Sequence, residues 1–508
     1  MEQERKSKIP QVGPDTGNYW CTWDTQFRIN DVEAGKDTKN LRNVLTQEFL
    51  FGKKGMLSDY FKKVRQDLYV LLDDGWDVGW DVPGNGPVSV FGSLELDEEK
   101  FPDFAGEPWE RLAKIREKVC SLGFRGLGLW ICANAKGEKE DAPFSREEAD
   151  RYWKERAIWC RKAGVDYWKV DWGYHCQDVA YRDRMTAIAK EFAPDLKIEH
   201  ALCSGPLAGL WEESERLGKV LSCSDYFRTY DVIREFTYST TISRVREAFR
   251  AQTLRRHGCR SILNVEDAPL LSAGLGCSAG VMRHPVWGGT ETDVLDFGRK
   301  WNEVERMLRW QRIAPPFGLG ESENICSQEE LEDRTGRLSG PEAGGWLKNI
   351  IPEGGMIRQS APAILARNMD LPKVEAKEEE LPFLACSRHP QTGAVGIAFL
   401  PRTCGDQKLF TPKADAALSM GSFVKPIGIF GEFAVLTIDL EEAAEGRVYL
   451  QDLCRDDAVD VTDLVLAGPR KLAIDYEMLK SRGWLENDPG DLSAPGFMLW
   501  HSPQASGL

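Results

Sequence analysis

The amino-acid sequence predicts an α/β protein in which a (β/α)8 TIM barrel is followed by a small C-terminal antiparallel β-sandwich domain. Short apolar runs alternate with amphipathic stretches through most of the chain, as they do where parallel strands are covered by helices. Many of the runs end in a carboxylate, and the active site of such a barrel lies at the carboxyl ends of its strands. Near the C-terminus the pattern changes to short period-two runs separated by turn residues, which is typical of antiparallel sheets.

Eight short apolar runs are the candidate strands of the barrel. Unbroken runs of this kind suit parallel strands that are buried on both faces. In chain order they are Tyr19–Trp23, Leu68–Leu72, Leu127–Cys132, Asp166–Val170, Leu196–Leu202, Val220–Cys223, Ser261–Val265 and Pro316–Leu319. The carboxylates that follow them are Asp24, Asp73, Asp74, Asp171, Asp225, Glu266 and Asp267.

Stretches with apolar residues at helical spacing lie between the candidate strands. Glu107–Leu122 is followed by a glycine, a typical C-cap. Ser145–Ala163 begins with a serine N-cap and glutamates in its first turn, and it also ends at a glycine. Ile242–His257 and Val294–Arg312 show the same pattern. This alternation of strands and helices predicts the barrel.

The pattern predicts two domains, a catalytic barrel at residues 1–372 and a β domain at residues 381–508. The charged segment Lys373–Glu380 is the expected connector. Short runs with strand character follow it, which predicts a small antiparallel sandwich. These runs are Ala394–Leu400, Phe423–Leu440, Arg447–Leu450, Lys471–Tyr476 and Phe497–Trp500.

Composition and charge exclude several classes of protein. The 508 residues are 42% apolar and 29% charged, which is ordinary for a globular chain and excludes overall disorder. The net charge of −15 repels nucleic acid and anionic membranes, so neither is an expected partner. No run approaches the ~18 apolar residues of a membrane helix. The first residues lack the apolar core of a signal peptide, which predicts a cytoplasmic location but says nothing of a leader already removed.

The sequence contains no recognisable metal or cofactor motif. Its six histidines form no HExxH pattern, and its 13 cysteines form no CxxC pairs. A phosphate-binding glycine loop is also missing from the sequence. We therefore expect no metal and no organic cofactor, and carboxylates and aromatic side chains remain as the groups that carry the chemistry.

Several motifs, in conserved chain order, resemble those of the retaining α-galactosidase clan. The three sharpest are YWCTWD at Tyr19–Asp24, LLDDGWD at Leu71–Asp77 and YWKVDWG at Tyr167–Gly173. That clan comprises glycoside hydrolase families twenty-seven and thirty-six, including the raffinose synthase-like proteins. Weaker matches are Cys203–Pro206, Phe227–Ile233, Leu263–Leu271 and Arg306–Phe317. The resemblance implies the barrel fold, a carbohydrate substrate and a retaining mechanism.

Asp171 is the expected nucleophile. A retaining glycosidase needs a carboxylate that is fixed beneath the anomeric carbon and able to form a glycosyl ester. The end of a strand supplies that rigidity, and a neighbouring lysine such as Lys169 keeps the carboxylate ionised. The alternative is an aspartate that merely caps the next helix.

Two carboxyl groups compete for the role of acid/base, Asp231 and Asp225. The family twenty-seven pattern places an arginine shortly before the acid, which Arg228 and Asp231 match with one residue fewer between them. The family thirty-six pattern of a serine followed by aspartates fits Ser224-Asp225. We favour Asp231 as the acid and expect Asp225 to line the sugar pocket or to orient Arg228.

The resemblance also implies a set of sugar-binding residues. Charged carboxylates make direction-sensitive hydrogen bonds to hydroxyls, and aromatic faces suit the C–H face of a sugar. Asp267 lies in the segment NVED, which departs from the family motif at two positions. Trp23 and Trp130 match aromatic residues of the family's sugar pocket. The expected set is Trp23, Asp73, Asp74, Trp130, Lys169, Cys203, Arg228, Asp225 and Asp267.

These observations predict a retaining α-galactosidase-like glycoside hydrolase. Three alternatives stay open: a galactosyl transglycosylase of raffinose-synthase type, an α-N-acetylgalactosaminidase or similar α-glycosidase, and a non-catalytic sugar-binding protein. Ser204 bears on the second, because a small residue at this family position leaves room for an acetamido group. A homo-oligomer is compatible with the sequence, which does not specify one. In the strand Leu196–Leu202, alternation places Glu199 and His200 on opposite faces.

Overall fold

A computed structural model gives the structure of the chain. It describes residues 7–29, 42–81, 89–90, 92–138, 142–201, 214–229, 237–252, 260–264, 268–284, 299–335, 357–403, 409–485 and 487–502. Within these ranges, no helix combines the length and the apolar character that a membrane crossing requires.

Eight parallel strands close into a barrel whose order around the axis is the order along the chain. This confirms the predicted (β/α)8 barrel. The strands are β1 (Tyr19–Cys21), β2 (Tyr69–Leu72), β3 (Gly126–Ile131), β4 (Tyr167–Val170), β5 (Lys197–His200), β6 (Tyr226–Arg228), β7 (Ser261–Asn264) and β8 (Ser278–Val281).

Two predicted barrel strands were wrong. Val220–Cys223 is the end of the helix Ser214–Cys223, and β6 begins only after Asp225. A short apolar run on the buried side of a helix cannot be told from a buried strand by periodicity. Pro316–Leu319 is not a strand, because β8 is the small-residue segment Ser278–Val281. Serine, alanine and glycine give that segment no apolar signal.

Two of the four predicted helices are confirmed almost to the residue, whereas Thr237–Gln252 begins before the predicted Ile242 and Asn302–Gln311 occupies only the second part of Val294–Arg312. The second long helix has both expected caps, since Ser145 and Glu148 form a reciprocal capping box and Gly164 ends the helix with φ of 70°. The helices that precede, surround or follow the strands are Trp23–Ile29, Gln47–Phe51, Pro108–Ser121, Arg146–Ala163, Val179–Phe192, Ser214–Cys223, Thr237–Gln252, Pro269–Leu275 and Asn302–Gln311. Single 3-10 turns lie at Arg65–Asp67 and Leu319–Glu321, and a two-stranded hairpin joins Trp80–Asp81 to Ser89–Val90.

The C-terminal part is a sandwich of two sheets. The eight-stranded sheet has the order Ile325–Thr335, Ile357–Arg367, Phe383–Arg388, Val395–Leu400, Ile427–Phe430, Gly496–Ser502, Arg447–Asp452 and Val459–Asp460. The five-stranded sheet has the order Lys373–Ala376, Ala414–Met420, Val435–Leu440, Lys471–Asp475 and Leu466–Gly468. Residues of both sheets share one core, and the alternating burial along Ala414–Met420 confirms the period-two pattern. The strands Arg402–Thr403 and Leu409–Phe410 form a separate hairpin, and the short helices are Thr462–Val465 and Tyr476–Ser481.

The sheet topology corrects three expectations for this part of the chain. Ile325–Thr335 and Ile357–Arg367 pair within the larger sheet, so the β domain begins well before the expected boundary at residue 372. The expected connector contains the strand Lys373–Ala376. The sandwich is also mixed rather than antiparallel throughout, because three strand pairs run parallel.

The barrel packs on the larger sheet through the helix Asn302–Gln311. The Trp310 ring lies over Gly428, where an added Cβ would come within 2.8 Å of a ring carbon, so only glycine admits this approach. Beside it, Arg306 Nη2 donates to Asp452 Oδ2 at 2.9 Å and Nη1 donates to the Ala494 carbonyl at 2.8 Å. Both ions of the Arg306–Asp452 pair are buried.

We expect Asp452→Ala to lower the free energy of unfolding by about 3 kcal/mol, because it leaves the buried Arg306 guanidinium without its ion-pair partner. The exposed pair Lys62–Asp59 supplies the control, and Asp59→Ala should cost less than about 0.5 kcal/mol. Urea unfolding followed by circular dichroism measures both variants. Equal effects at the two sites would contradict this role for the buried pair.

Candidate active site

Asp171 lies directly after β4, at the carboxyl end of the barrel. Its side chain accepts two hydrogen bonds from buried donors: Trp130 Nε1 lies 3.0 Å from Oδ2, and Arg228 Nη2 lies 2.5 Å from Oδ1. The backbone carbonyl of Asp171 accepts a third hydrogen bond, from Arg182 Nη2 at 2.7 Å. The two side-chain hydrogen bonds hold the carboxylate in one orientation, and the residue keeps 9% of its surface exposed.

The electrostatic setting keeps Asp171 ionised. Burial alone would raise its pKa, but the charges of Arg228 and Lys169 and the hydrogen bonds from Trp130 and Arg228 lower the pKa below the usual value of an aspartate. The group is therefore a carboxylate at neutral pH without help from solvent.

Lys169 and Asp73 form a second buried pair beside the first. Lys169 Nζ donates to Asp73 Oδ2 at 2.6 Å, and the Cys21 thiol lies 3.0 Å from the same oxygen. Burial lowers the pKa of Lys169, but the charge of Asp73 and the other negative groups around it, Asp171 included, together hold the pKa above its usual value. Asp73 and Lys169, both expected in the sugar site, thus lie within one hydrogen-bonded group that also influences Asp171.

Asp74 is held by a residue that sequence reasoning missed. Arg42 Nη2 donates to Asp74 Oδ2 at 2.7 Å, while Oδ1 is buried and has no hydrogen-bond partner among the described residues. Burial raises the pKa of Asp74, and the charge of Arg42 opposes that rise. A buried acceptor without a partner is costly in a folded protein, so Oδ1 is a candidate acceptor for a ligand hydroxyl.

The two expected pocket aromatics differ in their settings. Trp130 is fully buried, donates to Asp171 and lies 5.7 Å from the Trp172 ring centroid. Its role in the structure is to orient the carboxylate. Trp23 opens the helix that follows β1 and is half-buried against the aromatic cluster inside the barrel.

The expected place of Asp225 was wrong. It precedes β6 and therefore lies at the amino end of its strand, whereas Asp171 follows β4 at the opposite end. The Asp225 carboxylate pairs with Lys190, lies 3.6 Å from Arg260 and accepts from the Ile198 amide at 3.0 Å. These contacts hold it at the base of the barrel, so it does not line a pocket at the carboxyl ends.

Three expected site residues lie outside the described residues: Asp231, Cys203 and Asp267. Arg228 is described, fully buried, and in contact with Asp171 as set out above. Within the described ranges no three side chains of the metal-binding types come together as a metal site.

Glu199 and His200 lie on opposite faces of β5, as alternation predicts. His200 faces the helix Val179–Phe192, where Arg182 and Thr186 contact its ring nitrogens. Glu199 points into the barrel, where the Tyr167 hydroxyl donates to Oε2 at 2.7 Å. Glu199 was not expected in the site, although an acidic residue inside an apolar strand is a signal that the sequence contains.

Comparisons with known proteins were made at three levels. No protein-family model matches the chain, and no curated protein matches it. Among solved structures, a GH27 β-L-arabinopyranosidase from Geobacillus stearothermophilus aligns with a TM-score of 0.41 and 9% identity over 99% of this chain and 98% of its own. A candidate α-galactosidase from Bacteroides fragilis aligns with a TM-score of 0.41 and 10% identity over 97% of this chain and 80% of its own.

A third solved structure, described as a candidate α-N-acetylgalactosaminidase from Bacillus halodurans, aligns with a TM-score of 0.40 and 11% identity. The alignment covers 98% of this chain and 100% of that protein. Barrels of one architecture serve many chemistries, so the activity of this chain has to be argued from its own side chains.

Asp77 organises the loop that follows β2. One of its oxygens, Oδ2, accepts from the Gly92 and Leu94 amides at 3.0 Å each and from the Ser93 hydroxyl at 3.3 Å. Burial is the largest influence and raises the pKa of Asp77 to about 7. In an unfolded chain the same carboxyl titrates near ~3.9, so the folded protein binds this proton more tightly.

We expect this proton to make folding depend on pH. The stabilisation from Asp77 is complete below about pH 4 and is lost as the pH rises through about 7. The unfolding free energy of Asp77→Asn minus that of wild type should therefore increase by up to about 4 kcal/mol as the pH is raised from about 4 to about 8, because only the wild type loses stability over this range. Urea unfolding at a series of pH values measures this, with exposed Asp59→Asn as control. A difference that is constant with pH would count against the assignment.

Proposed function

We propose that the chain is a retaining glycoside hydrolase that acts on terminal α-linked galactose. The observation that carries the proposal is the setting of Asp171: a carboxylate at a strand end, kept ionised and oriented by Arg228 and Trp130. A double-displacement mechanism needs such a rigid anionic nucleophile. The motif resemblance supports the same class of reaction.

In the proposed first step, an Asp171 oxygen bonds to the anomeric carbon as the bond to the leaving oxygen breaks. Asp231 gives its proton to that oxygen. In the second step, Asp231 takes a proton from water, the water oxygen bonds to the anomeric carbon, and Asp171 leaves as a carboxylate. No step requires a metal or an organic cofactor.

The proposed sugar site lies around Asp73, Asp74 and Lys169. The lysine ammonium is a hydrogen-bond donor group, and the two carboxylates supply several acceptors of fixed direction. This combination suits recognition of neighbouring sugar hydroxyls. The buried Oδ1 of Asp74 has no hydrogen-bond partner among the described residues, so it is available to accept a hydrogen bond from a sugar hydroxyl. Galactose, rather than another sugar, is inferred from the motif resemblance.

The proposal is tested by a panel of aryl α- and β-glycosides, with the product anomer followed by NMR. We expect turnover of an aryl α-galactoside with the α-anomer released first. Release of the β-anomer first would contradict the retaining mechanism, and turnover of a different glycone only would contradict the substrate. Sugar acceptors added to the same assay separate hydrolysis from transglycosylation.

Asp171→Ala should lower kcat on an aryl α-galactoside by on the order of 10⁴-fold or more, because the covalent route is lost. Steady-state kinetics measures this. Asp225→Asn is the matched control, since that carboxylate lies at the base of the barrel, and it should keep turnover within about threefold of wild type. Near wild-type turnover by Asp171→Ala would refute the proposed nucleophile.

Asp231→Ala should slow substrates with poor leaving groups far more than activated aryl glycosides, because the latter need little protonation. Comparison of kcat/KM for a nitrophenyl galactoside and an alkyl galactoside measures the difference. An equal loss of kcat/KM on both substrates in Asp231→Ala would contradict its assignment as the acid.

A further inference from the structure

Arg228 lies between two buried carboxylates, of which only one is the proposed nucleophile. Its Nη2 donates to Asp171 Oδ1 at 2.5 Å, and its Nε lies 2.9 Å from Glu199 Oε1 in an ion pair. The Arg228 and Glu199 side chains are both 0% exposed. One guanidinium is therefore shared, through two different nitrogens, by two carboxyl groups.

Glu199 is itself fixed by tyrosines of two other strands, one adjacent to β5 and one across the barrel. The Tyr167 hydroxyl of β4 donates to Oε2 at 2.7 Å, and the Tyr19 hydroxyl of β1 lies 3.5 Å from Oε1. The strand register places Glu199 of β5 beside Lys169 of β4, so both side chains enter the barrel at one level. Glu199 has the position and the rigidity to fix the orientation of Arg228.

We propose that Glu199 is a positioning residue for the reaction: it orients Arg228 toward Asp171 and remains the anionic partner of Arg228 when Asp171 becomes an ester. This inference rests on the proposed function. In the first step Asp171 forms the bond to the anomeric carbon and loses its negative charge, while the leaving oxygen takes its proton from the general acid. Arg228 keeps its positive charge throughout, so the carboxylate of Glu199 balances it in the intermediate.

The charges around Glu199 agree with this role. Burial raises the pKa of Glu199 to about 7, Arg228 and Lys169 oppose the rise, and the negative charge of Asp171 adds to it. The hydroxyl groups of Tyr167 and Tyr19 are the other titratable groups that face it. Esterification of Asp171 removes a negative charge from this group, which lowers the pKa of Glu199 and favours its ionised form when Arg228 needs it.

The proposal predicts unequal effects of Glu199→Gln on the two chemical steps. The transition state of the first step loses charge on Asp171, so kcat/KM for a nitrophenyl α-galactoside should fall on the order of tenfold to a hundredfold. Asp171 regains its charge in the second step, so breakdown of the intermediate should be as fast as in wild type or faster. Reactivation of enzyme trapped with a ring-fluorinated galactosyl fluoride measures the second step alone.

Two further variants separate positioning from simple folding defects. Tyr167→Phe removes the shorter of the two tyrosine contacts of Glu199 but leaves its pair with Arg228, so kcat/KM should stay within about threefold of wild type. Glu199→Asp keeps an ionisable group and should recover part of the activity lost in Glu199→Gln. If Glu199→Gln does not fold, as judged by circular dichroism, Glu199→Ala, which also removes the charge, replaces it in the test of unequal steps.

Each result decides between the two proposals. Equal losses in both steps, or no loss of kcat/KM, would overturn the role of Glu199 and leave the proposed function standing. A wild-type chain that neither turns over nor is labelled by any glycoside of the panel would overturn the proposed function and this inference with it. A fall in kcat/KM with an unchanged or faster second step supports the inference.

Discussion

The candidate site depends on the pairing of buried charges inside a closed barrel. Lys169 with Asp73 and Arg228 with Asp171 are ion pairs that are almost entirely removed from solvent. A buried ion without its partner costs several kcal/mol, so each member of these pairs is needed for the others to stay charged. The parallel register meets this requirement, because it places Lys169 and Glu199 on adjacent strands at one level. The chemistry and the fold therefore rest on the same contacts.

This pairing has a consequence for reactivity. Two nearby cations lower the pKa of the Asp171 carboxylate and keep it ionised at neutral pH. The same cations stabilise the anion and therefore reduce its nucleophilicity. Because Arg228 also pairs with Glu199, its electrostatic attraction to Asp171 is weaker than that of an unshared guanidinium. In the proposed mechanism Asp171 is thereby kept anionic without being completely neutralised, and Arg228 still has a carboxyl partner after Asp171 is esterified.

Much of the fold, and part of the site, was predictable from sequence. Six barrel-strand positions followed from apolar runs, and Asp171, Lys169 and Asp73 followed from their places in or just after those runs. The strand after Asp225 was misplaced, because the buried side of the helix Ser214–Cys223 resembles a strand in a short window. Ser278–Val281 was missed because small residues give no apolar signal. Arg42 carries no periodic signal, since only the tertiary fold brings it to Asp74.

The most direct test of the account is to identify the residue that carries the covalent intermediate. The wild-type chain would be trapped with a ring-fluorinated α-galactosyl fluoride, digested and sequenced by tandem mass spectrometry. The account predicts one glycosyl group per chain, attached to the carboxylate of Asp171. Attachment to any other residue, or turnover of the probe without a covalent adduct, would contradict it.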